Sequence, residues 1–312
     1  MKRLQNHIAE SRLALPVTAV YAIVVWTVCG LFTHSWWGQF ACFALSAYLM
    51  VIMNNYHALI RIYSRMVSCS FLMLSCMACH LFPDLKGSVV QLCIIASYML
   101  LFSCYQDKQS SGRMYYAFLF IGLASSVFIQ LLFFVPLLWL LITVHLNAMN
   151  WRTFLASLMG LMTPYWIALP IMYYQLGNAD VLLITHFSEI AHFQEFGNYS
   201  MSRPTLLTLG IIIVLAVIGI SHYWRTSHND KIRIRQLYSF FISMTIVTTV
   251  LLLLQPQYSN VLIRLLTVSM TPLIGHFFAL THTKWTNMAF LAIVIVCLIV
   301  TGIIVWMSSS IF

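Results

Sequence analysis

Charged residues are scarce in this chain, and their scarcity limits what the protein can be. Only 7% of its 312 residues are Asp, Glu, Lys or Arg, against about a quarter in soluble domains. Seven residues are acidic, and none of them lies deep in an apolar run. Since proton- and sodium-coupled pumps usually depend on buried carboxylates, this argues against such coupling. No polar stretch exceeds about 25 residues, so a soluble domain of ordinary size outside the membrane is excluded.

The sequence also lacks the local signatures of several protein classes. It has no P-loop, no glycine-rich dinucleotide fingerprint and no Gly-x-Ser-x-Gly elbow. The net charge is +9, but the cations stand in ones and twos between apolar runs, as in the loops of membrane proteins. Binding to nucleic acid is therefore not expected. The eight cysteines all fall within apolar runs and are interpreted as small buried residues rather than a disulfide framework.

Apolar runs dominate what is present. Residues of the apolar types make up 61% of the chain, in runs of about 15–25 residues that can cross a hydrocarbon core of about 30 Å. We expect an all-α polytopic bundle of about eleven spans within a single integral membrane domain, residues 1–312. The first run is interpreted as a retained span rather than a signal peptide, because it is too long and no cleavage site follows it. The predicted spans are 13–32, 36–53, 66–82, 89–105, 114–127, 130–145, 154–176, 205–224, 237–254, 261–280 and 287–307.

The distribution of Lys and Arg residues distinguishes between two possible topologies. Residues 114–145 run almost without a break, and a single long helix there would reverse every later span. If residues 114–145 form two spans and the N-terminus is cytoplasmic, thirteen of the sixteen Lys and Arg residues lie inside. Only Lys86, Arg203 and Arg264 then lie outside. This asymmetry is typical of inner-membrane proteins. It predicts eleven spans with the C-terminus outside.

Two spans contain prolines in a repeated motif. Met-Thr-Pro occurs at 162–164 and at 270–272, and Pro170 follows the first copy. These prolines are expected to bend or break their helices. Leu-Ile-Arg also recurs, at 59–61 and 262–264. Paired interruptions in opposed spans are found in inverted repeats, and that possibility is left open.

The stretch from Ala117 to Leu169 carries a resemblance. It contains Ile-Gly-Leu-Ala-Ser-Ser from residue 121, Phe-Val-Pro from 134, Asn-Trp-Arg-Thr-Phe-Leu from 150 and Gly-Leu-Met-Thr-Pro-Tyr from 160. In these motifs the chain resembles an uncharacterised family of multi-pass inner-membrane proteins of Bacteroidota. The resemblance implies the membrane fold and no established activity, although some members bear a carotene-oxygenase label.

Residues 178–203 form the one outer segment rich in acidic and histidine residues. Apolar residues recur there at helical spacing, which predicts an amphipathic helix in the outer interface. His186 with Glu189, and His192 with Glu195, form a tandem His-Phe-x-Glu motif. A carboxylate three residues from an imidazole raises its basicity, so these four residues are candidate catalytic groups. The alternative is a polar face solvated by headgroups and water.

Arg264 lies about one turn inside its span, near the outer surface. A cation within a span is a functional candidate, because burying it unpaired costs at least ~2.5 kcal/mol. Arg264, together with Arg203, is a candidate for binding the anionic part of a lipid-linked substrate. The alternative is that Arg264 reaches outward to phosphate headgroups.

Two histidine patterns raise the question of a metal or haem. Cys76-Met-Ala-Cys79-His80 matches the haem attachment pattern, but buried small residues explain it as well. His145, His222 and His276 lie towards the inner ends of their spans. We predict no metal and no cofactor.

The leading functional hypothesis is the handling of an amphipathic or lipid-linked envelope substrate, by transfer, polymerisation or translocation. Membrane lipids are the expected partners. One alternative is a non-catalytic scaffold that binds a membrane protein partner, and a weaker one is a metal-dependent oxidoreductase or oxygenase.

Overall fold

The computed structural model describes residues 4–176, 188, 201–281 and 283–309. Over these residues the chain has helices and no β-strand, which confirms the all-α fold class. Helices suit such apolar runs because every backbone N–H finds its partner within the segment. The α-helices are α1 Leu4–Glu10, α2 Ala14–Val28, α3 Trp37–His57, α4 Met66–Met77, α5 Leu85–Phe102, α6 Ser111–Val127, α7 Phe134–Leu141, α8 Trp151–Leu176, α9 Arg203–Thr226, α10 Ile232–Leu254, α11 Ser259–Leu280 and α12 Lys284–Ser309.

Each predicted span coincides with a helical segment, from α2 to α12. Seven of the described segments are long and apolar enough to cross a membrane, whereas α2 and α4 are shorter apolar helices. The seven are Trp37–His57, Leu85–Phe102, Ile129–Leu146, Arg203–Asn229, Ile232–Leu254, Pro256–Leu280 and Lys284–Met307. The count of eleven spans and the direction of the termini stay predictions.

The break expected near residue 128 is confirmed. Helix α6 ends at Val127, and Phe128 is extended, with φ −140° and ψ 92°. The chain then resumes as a 3-10 turn, Ile129–Phe133, that leads into α7. Residues 114–145 therefore do not form one long helix.

The chain forms two compact units. The first comprises residues 1–88 and 200–312, and the second comprises residues 89–199. In the first unit, α11 packs against α4, α9 and α10. All residues of α11 except Asn260 and Arg264 are buried, so this helix forms the core of the unit.

The second unit is built on a close contact between α6 and α8. A Cβ added to Gly122 would lie 2.6 Å from the carbonyl oxygen of Leu161, and one added to Gly160 would overlap the carbonyl oxygen of Tyr115. Small residues allow membrane helices to approach in this way. The Tyr115 hydroxyl also hydrogen-bonds the Thr163 hydroxyl across the contact, at 3.0 Å. Glycines of the resemblance motifs therefore act in helix packing.

The prolines do not interrupt their helices. Pro164 and Pro170 lie inside α8, Pro272 lies inside α11, and both helices continue past them. The ring of Pro164 faces Gly122, where the missing side chain makes room for it. A break is thus absent at all three prolines, whereas a bend at any of them stays a prediction.

Candidate functional site

The first unit contains an apolar groove of about 490 Å³ between α1, α2, α4, α11 and α12. We call it the α2–α12 groove. Among its seventeen lining residues the polar side chains are few, and most of the others are aliphatic or aromatic. The lining residues are His7, Ile8, Ser11, Leu13, Ala14, Val17, Thr18, Tyr21, Met66, Cys69, Ser70, Met73, Phe278, Phe290, Leu291, Val294 and Leu298.

The groove opens on an apolar outer surface. Four of its lining residues are also exposed: Leu13, just before α2, by 69%, Val17 of α2 by 65%, and Leu291 and Leu298 of α12 by 48% and 45%. An exposed aliphatic surface of this kind suits contact with lipid chains. The apolar lining of the groove is therefore continuous with exposed apolar side chains of α2 and α12.

Two polar residues line the groove before the start of α2, and a hydrogen bond joins α2 to α12 further along. His7 and Ser11 line it before the start of α2. Further along that helix, the Tyr21 hydroxyl donates to the Thr301 hydroxyl of α12 at 3.0 Å. The shape therefore matches a molecule with a polar head and an apolar chain.

A buried carboxylate–imidazole pair lies at another place in the first unit, where α9, α10 and α11 meet. His276 Nε2 lies 3.0 Å from Asp230 Oδ2, and the side chains are 1% and 2% exposed. The imidazole Nε2 carries the hydrogen, because an ionised carboxylate only accepts hydrogen bonds. Asp230 reaches this position because the 3-10 turn Ser227–Asn229 after α9 directs it inward before α10 begins.

Aromatic rings enclose the His276 imidazole. The ring centroids of Tyr238, Tyr223 and His222 lie 5.0, 5.3 and 5.5 Å from it. Three buried atoms there have no hydrogen-bond partner in the described protein: Nδ1 of His276, Nδ1 of His222 and the Tyr223 hydroxyl oxygen. A small polar molecule such as water could satisfy them. Chemically, a carboxylate-oriented imidazole with its other nitrogen unoccupied can act as a proton acceptor.

Sequence reasoning missed this pair. Asp230 lies outside every predicted span, and the sequence singles out His276 only as one of three histidines towards the inner ends of spans. The available signal was a single acidic residue among Arg225, Lys231 and Arg233. A lone acid in a basic connection indicates a specific partner, but it does not identify that partner.

Arg264 holds the connection between α4 and α5. Its Nη2 donates to the carbonyl oxygen of Leu81 at 2.5 Å and to that of Asp84 at 3.3 Å. Both carbonyls also accept backbone N–H groups, Leu81 O from Asp84 and Asp84 O from Ser88, so Arg264 adds charge-assisted hydrogen bonds to them. Gly87 leaves the space, since a Cβ there would lie 2.9 Å from Arg264 Nε. The guanidinium is thus engaged within the protein, and its role in substrate binding stays a prediction.

The other candidate site residues stand apart from these features. Arg203 is exposed and begins α9. His186, Glu189, His192 and Glu195 lie outside the described residues, as does almost all of the segment 178–203.

The haem-like motif lies at the end of α4. Cys76 and Cys79 are both buried, and the two ring nitrogens of His80 are buried with no hydrogen-bond partner among the described groups. His145 belongs to the second unit, whereas His222 and His276 meet in the first. Over the described part of the chain, no three His, Cys, Asp or Glu side chains are grouped to hold a metal ion.

Comparison with protein-family models, curated proteins and solved structures finds no match. The resemblance to membrane proteins of Bacteroidota therefore stays a prediction from the sequence.

Proposed function

We propose that this multi-pass membrane protein binds an amphipathic, lipid-linked envelope substrate and holds its chain in the α2–α12 groove. The observation that carries the proposal is a groove that is apolar inside, polar at one end and open on an aliphatic surface. Its volume falls within the range of about 300–1,000 Å³ found for small-molecule sites. Transfer, polymerisation or translocation of the substrate would each begin with this binding step.

Affinity in such a groove must come mainly from its polar end. A chain that leaves the bilayer for the groove exchanges one apolar environment for another, so burial contributes little. Shape fit and headgroup contacts decide which lipid binds. His7 and Ser11 can both donate hydrogen bonds to an anionic or hydroxylated headgroup.

The distribution of charge supports an orientation. Lys2, Arg3 and Arg12 flank the polar end of the groove along the sequence, and cations favour the cytoplasmic side. The substrate headgroup then enters from the cytoplasmic leaflet of the inner membrane. Arg264 and Arg203 are proposed to bind the anionic part of the substrate, and His186, Glu189, His192 and Glu195 stay candidate catalytic residues.

Lipid retention by the purified protein tests the proposal. Val294 lines the groove on α12, and Val294→Trp would fill it with an indole. We expect the wild-type protein to carry a chain-bearing lipid through gel filtration in mild detergent. Extraction and mass spectrometry should show at least a tenfold loss of that lipid in Val294→Trp.

Val296→Trp is the matched control. Val296 lies on the same helix, is exposed, and does not line the groove, so this variant should retain the lipid. Equal lipid content in all three proteins would refute the proposal. Stoichiometric recovery of a protein partner without bound lipid would instead support the scaffold hypothesis.

A further inference from the structure

Helix α1 forms part of the wall of the α2–α12 groove, through His7 and Ile8. It contacts α11 and α12, and the connection 11–13 joins it to α2. Gln5 and Ala9, four residues apart on one face of α1, are each 1% exposed. This short helix is therefore held against the bundle by one face.

Gln5 supplies polar contacts on that face. Its side-chain Nε2 donates to the carbonyl oxygen of Phe278 at 2.9 Å and to the hydroxyl oxygen of Thr281. Its backbone N–H donates to Oδ1 of Asn287 at 3.0 Å. Phe278 lies in the last turn of α11, Thr281 follows that helix, and Asn287 lies in the first turn of α12. One residue therefore joins α1 to both helices.

The apolar attachment of α1 is small. Among the residues of α1 whose burial the structure describes, Gln5 and Ala9 are the buried ones, and the methyl group of Ala9 covers little apolar area. The hydrogen bonds of Gln5 are therefore a main part of the attachment, and each such bond adds only modestly to stability. A segment with few buried apolar contacts opens locally at a lower free energy than the core around it.

We propose that α1 is a gate of the α2–α12 groove and that Gln5 is the residue that holds the gate closed. Release of the Gln5 hydrogen bonds lets α1 turn about the connection 11–13, so that the groove opens along the wall formed by His7 and Ile8. The identity of what enters, a lipid with an anionic or hydroxylated headgroup, rests on the proposed function. The opening of α1 does not, and it is tested without lipid.

Substitutions of Gln5 that differ in hydrogen bonding test the gate. Gln5→Met keeps a side chain of similar length and removes both side-chain N–H donors. Gln5→Glu keeps the shape but places an acceptor against the carbonyl oxygen of Phe278, so that the contact becomes repulsive. The groove should therefore open more often in Gln5→Met than in the wild type, and most often in Gln5→Glu.

Cys69 reports the opening, because it lines the groove and is buried. The measurement is the rate at which N-ethylmaleimide modifies Cys69 in the purified full-length protein, followed by peptide mass spectrometry. We expect this rate to rise about tenfold or more in Gln5→Glu, and by a smaller factor in Gln5→Met. Cys104 is buried in the second unit, and its rate should stay unchanged in both variants.

Gln109→Glu is the matched control. It makes the same chemical change at an exposed residue of the second unit, and its Cys69 should react at the wild-type rate. Equal Cys69 rates in all four proteins would overturn the proposal. A wild-type rate in Gln5→Met would show that hydrogen bonds do not hold α1 closed, and parallel increases at Cys69 and Cys104 would show general loosening instead of a gate.

Release of a labelled lipid connects the gate to the proposed function. The proteins are loaded with phosphatidylglycerol that carries a pyrene-labelled chain, and its transfer to acceptor vesicles is followed by fluorescence. Transfer should be several-fold faster from Gln5→Glu than from the wild type, and equal transfer rates beside a faster Cys69 reaction would overturn gating of the lipid. A wild-type protein that takes up no labelled lipid would contradict the proposed function, while the Cys69 rates still decide whether α1 opens.

Discussion

The buried pair of Asp230 and His276 predicts that replacing one partner alone lowers the free energy of unfolding. Both side chains are almost fully buried, at 1% and 2% exposure. His276→Leu would leave the Asp230 carboxylate buried without its donor. Breaking a buried ion pair in this way costs about 3–5 kcal/mol, because the remaining charge stays out of water. His276→Leu should therefore be among the most destabilising single substitutions in α11.

Replacing both partners should recover much of that loss. In the double variant Asp230→Leu/His276→Leu neither a charge nor a donor is left unpaired, and apolar replacement of a buried pair is often neutral or stabilising. Asp230→Leu alone leaves an unpaired imidazole N–H, at about 1–3 kcal/mol. The summed losses in free energy of unfolding of the two single variants should then exceed the loss of the double variant by several kcal/mol.

Reversible unfolding in mixed micelles measures these free energies. His228→Leu is the control, because His228 is exposed in the same connection and its loss should change the free energy of unfolding by less than about 0.5 kcal/mol. Additive single effects, or a His276→Leu effect as small as the control, would show that the pair does not hold α9, α10 and α11 together.

Substitutions test two further contacts of the structure, one at Gly160 and one at Arg264. Gly160→Ala should lower the free energy of unfolding by about 1–3 kcal/mol, because its Cβ would overlap the Tyr115 carbonyl oxygen. Gly112→Ala is the control, because a Cβ there has open space, and it should stabilise α6 by up to about 1 kcal/mol. Equal shifts in melting temperature for the two variants would contradict the close contact between Gly160 and Tyr115. Arg264→Met should cost about 1.5–3 kcal/mol through the lost charge-assisted hydrogen bonds. It should also increase hydrogen exchange around Leu81, and unchanged exchange there would argue against an anchoring role.

The fold was predictable because hydropathy acts locally. Each helical segment was predicted from residues within it, whereas the break at Phe128 was predicted from the distribution of cations over the whole chain. The prolines show the limit of that reasoning. A proline next to Gly122 on another helix behaves differently from a proline in isolation, and no local pattern reports that neighbour.

The candidate sites were less predictable, because they join residues that are distant in the sequence. Asp230 and His276 are separated by α10 and most of α11, and Arg264 reaches carbonyls of the α4–α5 connection. In both cases the polar contact lies where a helix end or connection meets the side of α11. In an apolar bundle a charged group can be buried only beside polar partners, and connections between helices supply such partners. The scarcity of charge therefore makes each remaining buried charge informative.

Asp230 stands outside every apolar run, yet its carboxylate is as deeply buried as the core of α11, so an acidic residue in a connection cannot be discounted as solvated. The sequence-based argument against proton- or sodium-coupled transport concerned carboxylates within spans, and Asp230 shows that a connection between helices can also bury one.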